Sequence, residues 1–123
     1  VIEGCGDNGC EYMTGGNVVI LGPVGNNFAA GMTGGMAFVY DKDGTLPVRI
    51  NLDDVFYQQQ MTAYWENFLY SKIEEHFKLT NSNHAKNLID NWEKEKFLFW
   101  QIIPKEMINK FKNPVNVEKV KTA

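Results

Sequence analysis

Glu11-Tyr12-Met13-Thr14-Gly15-Gly16-Asn17-Val18-Val19-Ile20-Leu21-Gly22 is answered by Ala30-Gly31-Met32-Thr33-Gly34-Gly35-Met36-Ala37-Phe38-Val39-Tyr40-Asp41, a step of 19 residues. The two Met-Thr-Gly-Gly runs align without a gap. Gly6 falls in register with Gly25, Asn8 with Asn27, and Gly44 extends the glycine series by one further step. Val1-Ile2 lines up with Ile20-Leu21 and Val39-Tyr40, so the chain opens inside a copy. A fixed period of this size sets architecture before any single residue does.

Each copy carries one short β-rich run, Val18 to Leu21 or Ala37 to Tyr40, with a glycine pair just before it. The Leu and Asn/Cys ladder of leucine-rich repeats is missing, and no copy has room for a helix pair. One turn of a single-stranded, right-handed parallel β-helix fits the pattern. Equivalent residues would then lie one strand spacing apart, roughly 4.8 Å. Glycines would stack where the chain corners or takes positive φ. Thr14, Thr33, Gly6, Gly15, Gly16, Gly25, Gly34 and Gly35 are the expected structural repeat positions. Chance recurrence of a tetrapeptide in a loop-rich domain is the alternative.

Working outward, glycine stops at Gly44, which marks the clearest boundary. The expected organisation is residues 1–51 as β-helix coils and residues 52–123 as an α-helical extension packed on them. Val48-Arg49-Ile50 reads as extended and Leu52 to Gln60 as a short helical turn. Thr62 is placed to cap a helix reaching about Phe77, with Trp65, Phe68, Leu69, Ile73 and Phe77 on one apolar face. Ser82 or Asn83 caps a second helix ending near Lys96, with Ala85, Leu88, Ile89 and Trp92 as its stripe. Phe97 to Ile103 reads as extended and partly buried. Pro104 is placed to start a last helix to Lys112, before a frayed tail from Pro114.

Composition excludes several roles. Hydrophobic content of 44% and charged content of 22% are ordinary for a globular chain. A net charge of −3 makes no electrostatic case for nucleic acid. No apolar run approaches the roughly 18 residues of a membrane span. Val1 is not an initiator and no signal peptide follows it, so the chain reads as cut from something longer. All 12 Lys and Arg residues lie beyond Asp41, as suits charge-laced surface helices after a low-charge, glycine-rich coil region.

Candidate chemistry is sparse. Cys5 and Cys10 are spaced C-x4-C with no further Cys, which reads as two small buried thiols. Gly4-Cys5-Gly6-Asp7-Asn8-Gly9 satisfies G-x-G-x-x-G, but that motif needs a helix immediately after it; here a second glycine pair and a strand follow. Gly22 to Asn27 has the flavour of a phosphate loop without its Lys-Ser/Thr. His76 and His84 sit near the end of one expected helix and the start of the next, without companion ligands, and read as surface or interface residues. Glu74-Glu75 and Asp53-Asp54 read as solvated charge. Phe97, Phe99 and Trp100 form either a docking patch or part of the core. No catalytic, cofactor-binding or metal-binding residue is expected.

Gly6 to Gly16 followed by Val18 to Gly35 closely resembles the C-terminal domain of the glutamate synthase large subunit, a family known for G-x-x-G-x-G-type coils in a right-handed β-helix. His76 to Trp92 looks like that family's helical tail and Ile102-Ile103-Pro104-Lys105 like its closing run. Thr80-Asn81-Ser82 departs from the usual Thr-Gly-Ser. The resemblance implies a parent enzyme that makes two glutamates from glutamine and 2-oxoglutarate, in the cytoplasm or an organelle. It implies an amidotransferase domain and an FMN domain with an iron–sulfur cluster in the same chain. Electrons would come from ferredoxin or from NAD(P)H, the latter through FAD in a partner subunit or domain. The domain itself would hold no cofactor and would position the catalytic domains. The alternative is a stand-alone β-helix scaffold of another redox complex, such as a formylmethanofuran dehydrogenase-like subunit. A chain starting mid-coil is expected to self-associate.

Overall fold

The first parallel pair follows the repeat. In the computed structural model, which describes residues 1–4, 9, 14–50, 55–59 and 61–105, β1 (Thr14–Ile20) and β2 (Gly34–Tyr40) lie side by side. Val18, Val19 and Ile20 stand opposite Ala37, Phe38 and Val39. At the start of the pair Thr14 faces Gly34 rather than Thr33, and the register slips by one before Asn17 meets Met36. Gly16 and Gly35 both take φ of +80° there, a left-handed conformation that glycine adopts without a Cβ clash. Ile2 bridges Ile20 in parallel on the other side of β1, one residue away from the alignment of Val1-Ile2 with Ile20-Leu21.

The stack does not continue, and the expected β-helix is corrected here. The other edge of β2 is taken by β4 (Phe99–Pro104), which runs antiparallel to it, and β3 (Val55–Gln58) pairs antiparallel with β4. The result is an open, mixed four-stranded sheet of order β1-β2-β4-β3. A wound coil needs a parallel neighbour at each step; a strand from beyond residue 51 occupies that edge instead. The C-terminal part is therefore not purely helical, since it supplies half of the sheet.

Both faces of the sheet are buried. Val19, Met36, Phe38, Tyr40, Phe99 and Ile103 pack against Trp65, Leu69 and Ile73 of α2 (Ala63–Thr80) and Ala85 and Leu88 of α3 (Asn83–Asp90). Alternate residues Ile20, Ala37, Val39, Trp100 and Ile102 pack the opposite way, against Val24, Phe28, Ala29, Met32, Leu46 and Ile50 of the intervening loops. Two covered faces explain why β2 and β4 read as near-continuous apolar runs rather than alternating ones.

Local chemistry explains the other differences from expectation. Leu46–Arg49 is a short helix, α1, rather than part of a strand. Pro47 occupies its first turn, where a missing N–H costs nothing. Only Ile50 returns to an extended shape, bridging Phe28. Val55–Gln58 is strand rather than helical turn, because its β-prone Val, Phe and Tyr meet the free edge of β4. Thr62 begins α2, the amide of Glu66 donating to its carbonyl at 3.0 Å, and Ser82 caps α3 through its hydroxyl, 3.2 Å from the Ala85 amide. The second helix breaks at Asn91 before α4 (Trp92–Glu95) and a 3-10 turn over Lys96–Leu98. Pro104 closes β4. Cys5, Cys10, Gly6, Asp53, Asp54 and the expected last helix beyond Lys105 lie outside the described residues.

Candidate functional site

Where β2 ends, Tyr40 and Asp41 open onto a cleft of about 260 Å³. Leu21, Pro23, Val24, Val39 and Leu46 give it an apolar floor; Glu3, Lys42, Asp43 and His84 supply its polar rim.

Asp41 is buried and fully used. Its carboxylate accepts from the amides of Thr45 at 3.0 Å and Leu46 at 3.1 Å, and from Trp100 Nε1 at 3.0 Å. It thereby ties the start of α1 to the centre of the sheet, and three donors hold the charge in place. Tyr40 donates its hydroxyl to Glu95, with Phe99 and His84 rings 5.2 and 5.6 Å from its own. Burial, then the Glu95 carboxylate, push the Tyr40 hydroxyl well above the usual phenol range. It is held as a donor and is a poor proton source.

His84 lies at the first turn of α3, and its Nε2 donates to the carbonyl of Leu21. His76 of α2 meets Glu3, Nε2 to Oε2 at 2.9 Å, and Ser82 donates to the same Glu3 oxygen at 2.7 Å. Those two bonds hold the Glu3 carboxyl below the usual carboxylate range. The expectation of interface roles for the two histidines is met inside the chain: both fasten the helix pair to the N-terminal edge of the sheet.

Two buried polar side chains lie on the helix-facing side. Gln58 Nε2 donates to Gln101 Oε1 at 2.7 Å, and Gln101 Nε2 lies 3.0 Å from Met36 Sδ. These bonds cross β3, β4 and β2 and fix the register of the antiparallel half. Sequence reasoning did not single out Gln58, Gln101 or Asp41; a glutamine inside the apolar run Phe97 to Ile103 was the available signal. Phe99 and Trp100 are core, whereas Phe97 is 60% exposed.

The repeat glycines do not converge on a site. Gly15, Gly16, Gly34 and Gly35 lie within β1 and β2, Thr33 just before β2 is exposed, and Gly25 is in the loop between the strands. Gly22 is different: a Cβ there would stand 1.9 Å from the carbonyl oxygen of Glu3. Among the described residues no group of three His, Cys, Asp or Glu side chains is placed to hold a metal, and no helix is long and apolar enough to cross a membrane.

A family model described as the GXGXG motif matches residues 1–105. The chain belongs to the GXGXG family. This GXGXG chain is 52% identical over all of its 123 residues to the glutamate synthase [NADPH] large chain of Azospirillum brasilense. It is 49% identical over 104 residues to ferredoxin-dependent glutamate synthase 1 of Arabidopsis thaliana, and 43% identical over 106 residues to the glutamate synthase [NADPH] large chain of Bacillus subtilis, each match covering 85% of the chain. The resemblance carried by Gly6 to Gly35 is borne out. The GXGXG chain spans only 8%, 6% and 7% of those relatives' lengths.

Proposed function

We propose that this chain is the GXGXG domain of a glutamate synthase, an oxidoreductase that makes two glutamates from glutamine, 2-oxoglutarate and a reductant. Its role there is structural: it holds the amidotransferase and FMN domains of the same parent chain in their relative positions and contributes no catalytic residue. FMN and the iron–sulfur cluster belong elsewhere in that parent. The reductant is NADPH or ferredoxin, the two donors named in its relatives. The compartment is the cytoplasm or a plastid, the latter named for an Arabidopsis relative.

The observation that carries this reading is the 52% match over all 123 residues to a chain of which they make up 8%. That pattern suits one segment of a large multidomain enzyme better than a stand-alone scaffold. The polar groups around the cleft support it, because Asp41, Tyr40, Glu3 and both histidines are each engaged in tying elements together.

The test uses the full-length enzyme. Gly34 is buried where it pairs with Thr14, so Gly34→Val forces a branched side chain into a packed face of the sheet. Expected is a loss of stoichiometry between glutamine hydrolysis and reductant oxidation, each half-reaction still being measurable. Unchanged coupling together with unchanged thermal stability overturns the structural role. Glutaminase or synthase turnover by the isolated span overturns it as well.

A further inference from the structure

The cleft at the end of β2 pairs an apolar floor with polar groups that are already committed. Leu21, Val24, Val39 and Leu46 are buried in the floor, and exposed Pro23 carries the apolar surface out to the rim. Asp41 accepts from two amides and the Trp100 indole, Tyr40 donates to Glu95, and His84 donates to the Leu21 carbonyl. Lys42 and Asp43, adjacent, exposed and opposite in sign, offset one another at the rim. The floor is made by residues 21–46 and owes nothing to the first two residues. Val1 borders a separate recess with Asn17, Val19, Phe68, Lys72 and Glu75, none of which lines the cleft.

Size decides what such a cleft takes. Small-molecule sites run from roughly 300 to 1,000 Å³. The cleft, at about 260 Å³, falls below that range and suits one or two apolar side chains. Anchor residues at protein interfaces occupy sites of this kind, apolar at the centre and polar at the rim. A separate protein needs about 1,000 Å² of contact to stay bound. A domain of the same chain needs far less, because the linkage keeps its local concentration high.

We propose that this cleft is a docking socket for another domain of the same parent chain, which inserts one or two uncharged apolar side chains between Pro23 and Leu46. The socket rests on the reading of the chain as a glutamate synthase domain and gives that domain a surface by which to hold a neighbour. The 123 residues make up 8% of the Azospirillum relative, so most of the surface able to cover the floor belongs to the same polypeptide.

Thiol labelling of the full-length enzyme tests the socket. Pro23→Cys and Thr45→Cys place thiols at exposed positions on the rim. Glu93→Cys places one outside the cleft, where the native side chain is 87% exposed. Maleimide modification, followed peptide by peptide by mass spectrometry, is expected to be at least tenfold slower at positions 23 and 45 than at 93 in the native enzyme, and equal at all three after denaturation. A benzophenone attached at Thr45→Cys is expected to cross-link to a peptide of the same chain outside these 123 residues. Native labelling at 23 and 45 as fast as at 93 overturns the proposal, as does a cross-link to a second copy or to another protein. Unchanged coupling in Gly34→Val removes the structural role and leaves this labelling pattern standing; fast labelling at 23 and 45 removes the socket and leaves the role to other surfaces.

Discussion

At Asp41 one carboxylate accepts from two backbone amides and an indole. Asp41→Ala leaves those donors partnerless in a buried place and is expected to cost at least about 2 kcal/mol in denaturant unfolding. Two glycines separate conformation from space. Gly16 has φ of +80° and open surroundings, so Gly16→Ala is expected to cost about 1–2 kcal/mol through backbone strain alone. At Gly22 the obstacle is the Glu3 backbone at 1.9 Å. Gly22→Ala must displace the Glu3 backbone and is expected to cost more than Gly16→Ala in denaturant unfolding. Little of this was legible beforehand. Asp41 reads as an ordinary turn residue, because what makes it central is Trp100, 59 positions away. Gly22 reads as a repeat position, because its neighbour Glu3 is recognisable only once Ile2 is paired with Ile20.

At the level of elements, the apolar stripe of α2 reads directly, since Trp65, Leu69 and Ile73 recur at helical spacing and are buried. Leu69→Ala removes a fully buried side chain between helix and sheet and is expected to cost about 2–5 kcal/mol, measured by denaturant unfolding. α1 and β3 were misjudged for opposite reasons. A local signal, Pro47 in the turn that Asp41 anchors, prevailed over β-prone Val48; a distant one, the open edge of β4, drew Val55–Gln58 into the sheet. The contact of Glu3 with the helix pair is expected to depend on acid. Glu3 is held below the usual carboxylate range, mainly by His76 and then by Ser82. Its contribution is therefore present at and above the ordinary glutamate range and is lost as pH falls through the lowered value. Denaturant unfolding followed across pH should show a small loss of stability with acid in the native protein that Glu3→Gln lacks.

Seen whole, the molecule is a sheet with α2 and α3 on one face and the loops around Phe28, Met32 and Leu46 on the other. The parallel half was legible because two copies of one pattern stack at their own spacing. The antiparallel half was not, because no periodicity announces which strand will take an edge. Among the described residues the outer edge of β1 is met only by Ile2 at Ile20. An exposed parallel edge invites pairing, so the isolated span is expected to self-associate; light scattering of a monodisperse monomer at high concentration would contradict that.

The order of the strands has a consequence for synthesis. β4, which lies between β2 and β3, is the last of the four to leave the ribosome. Until residue 104 has emerged, β3 has nothing to pair with and β2 carries a bare flank, a delay typical of contacts between distant parts of a chain. The domain cannot be assembled piecemeal: its keystone arrives last, and a nascent chain stalled before Phe99 would display two unfinished ribbons to any chaperone that meets it.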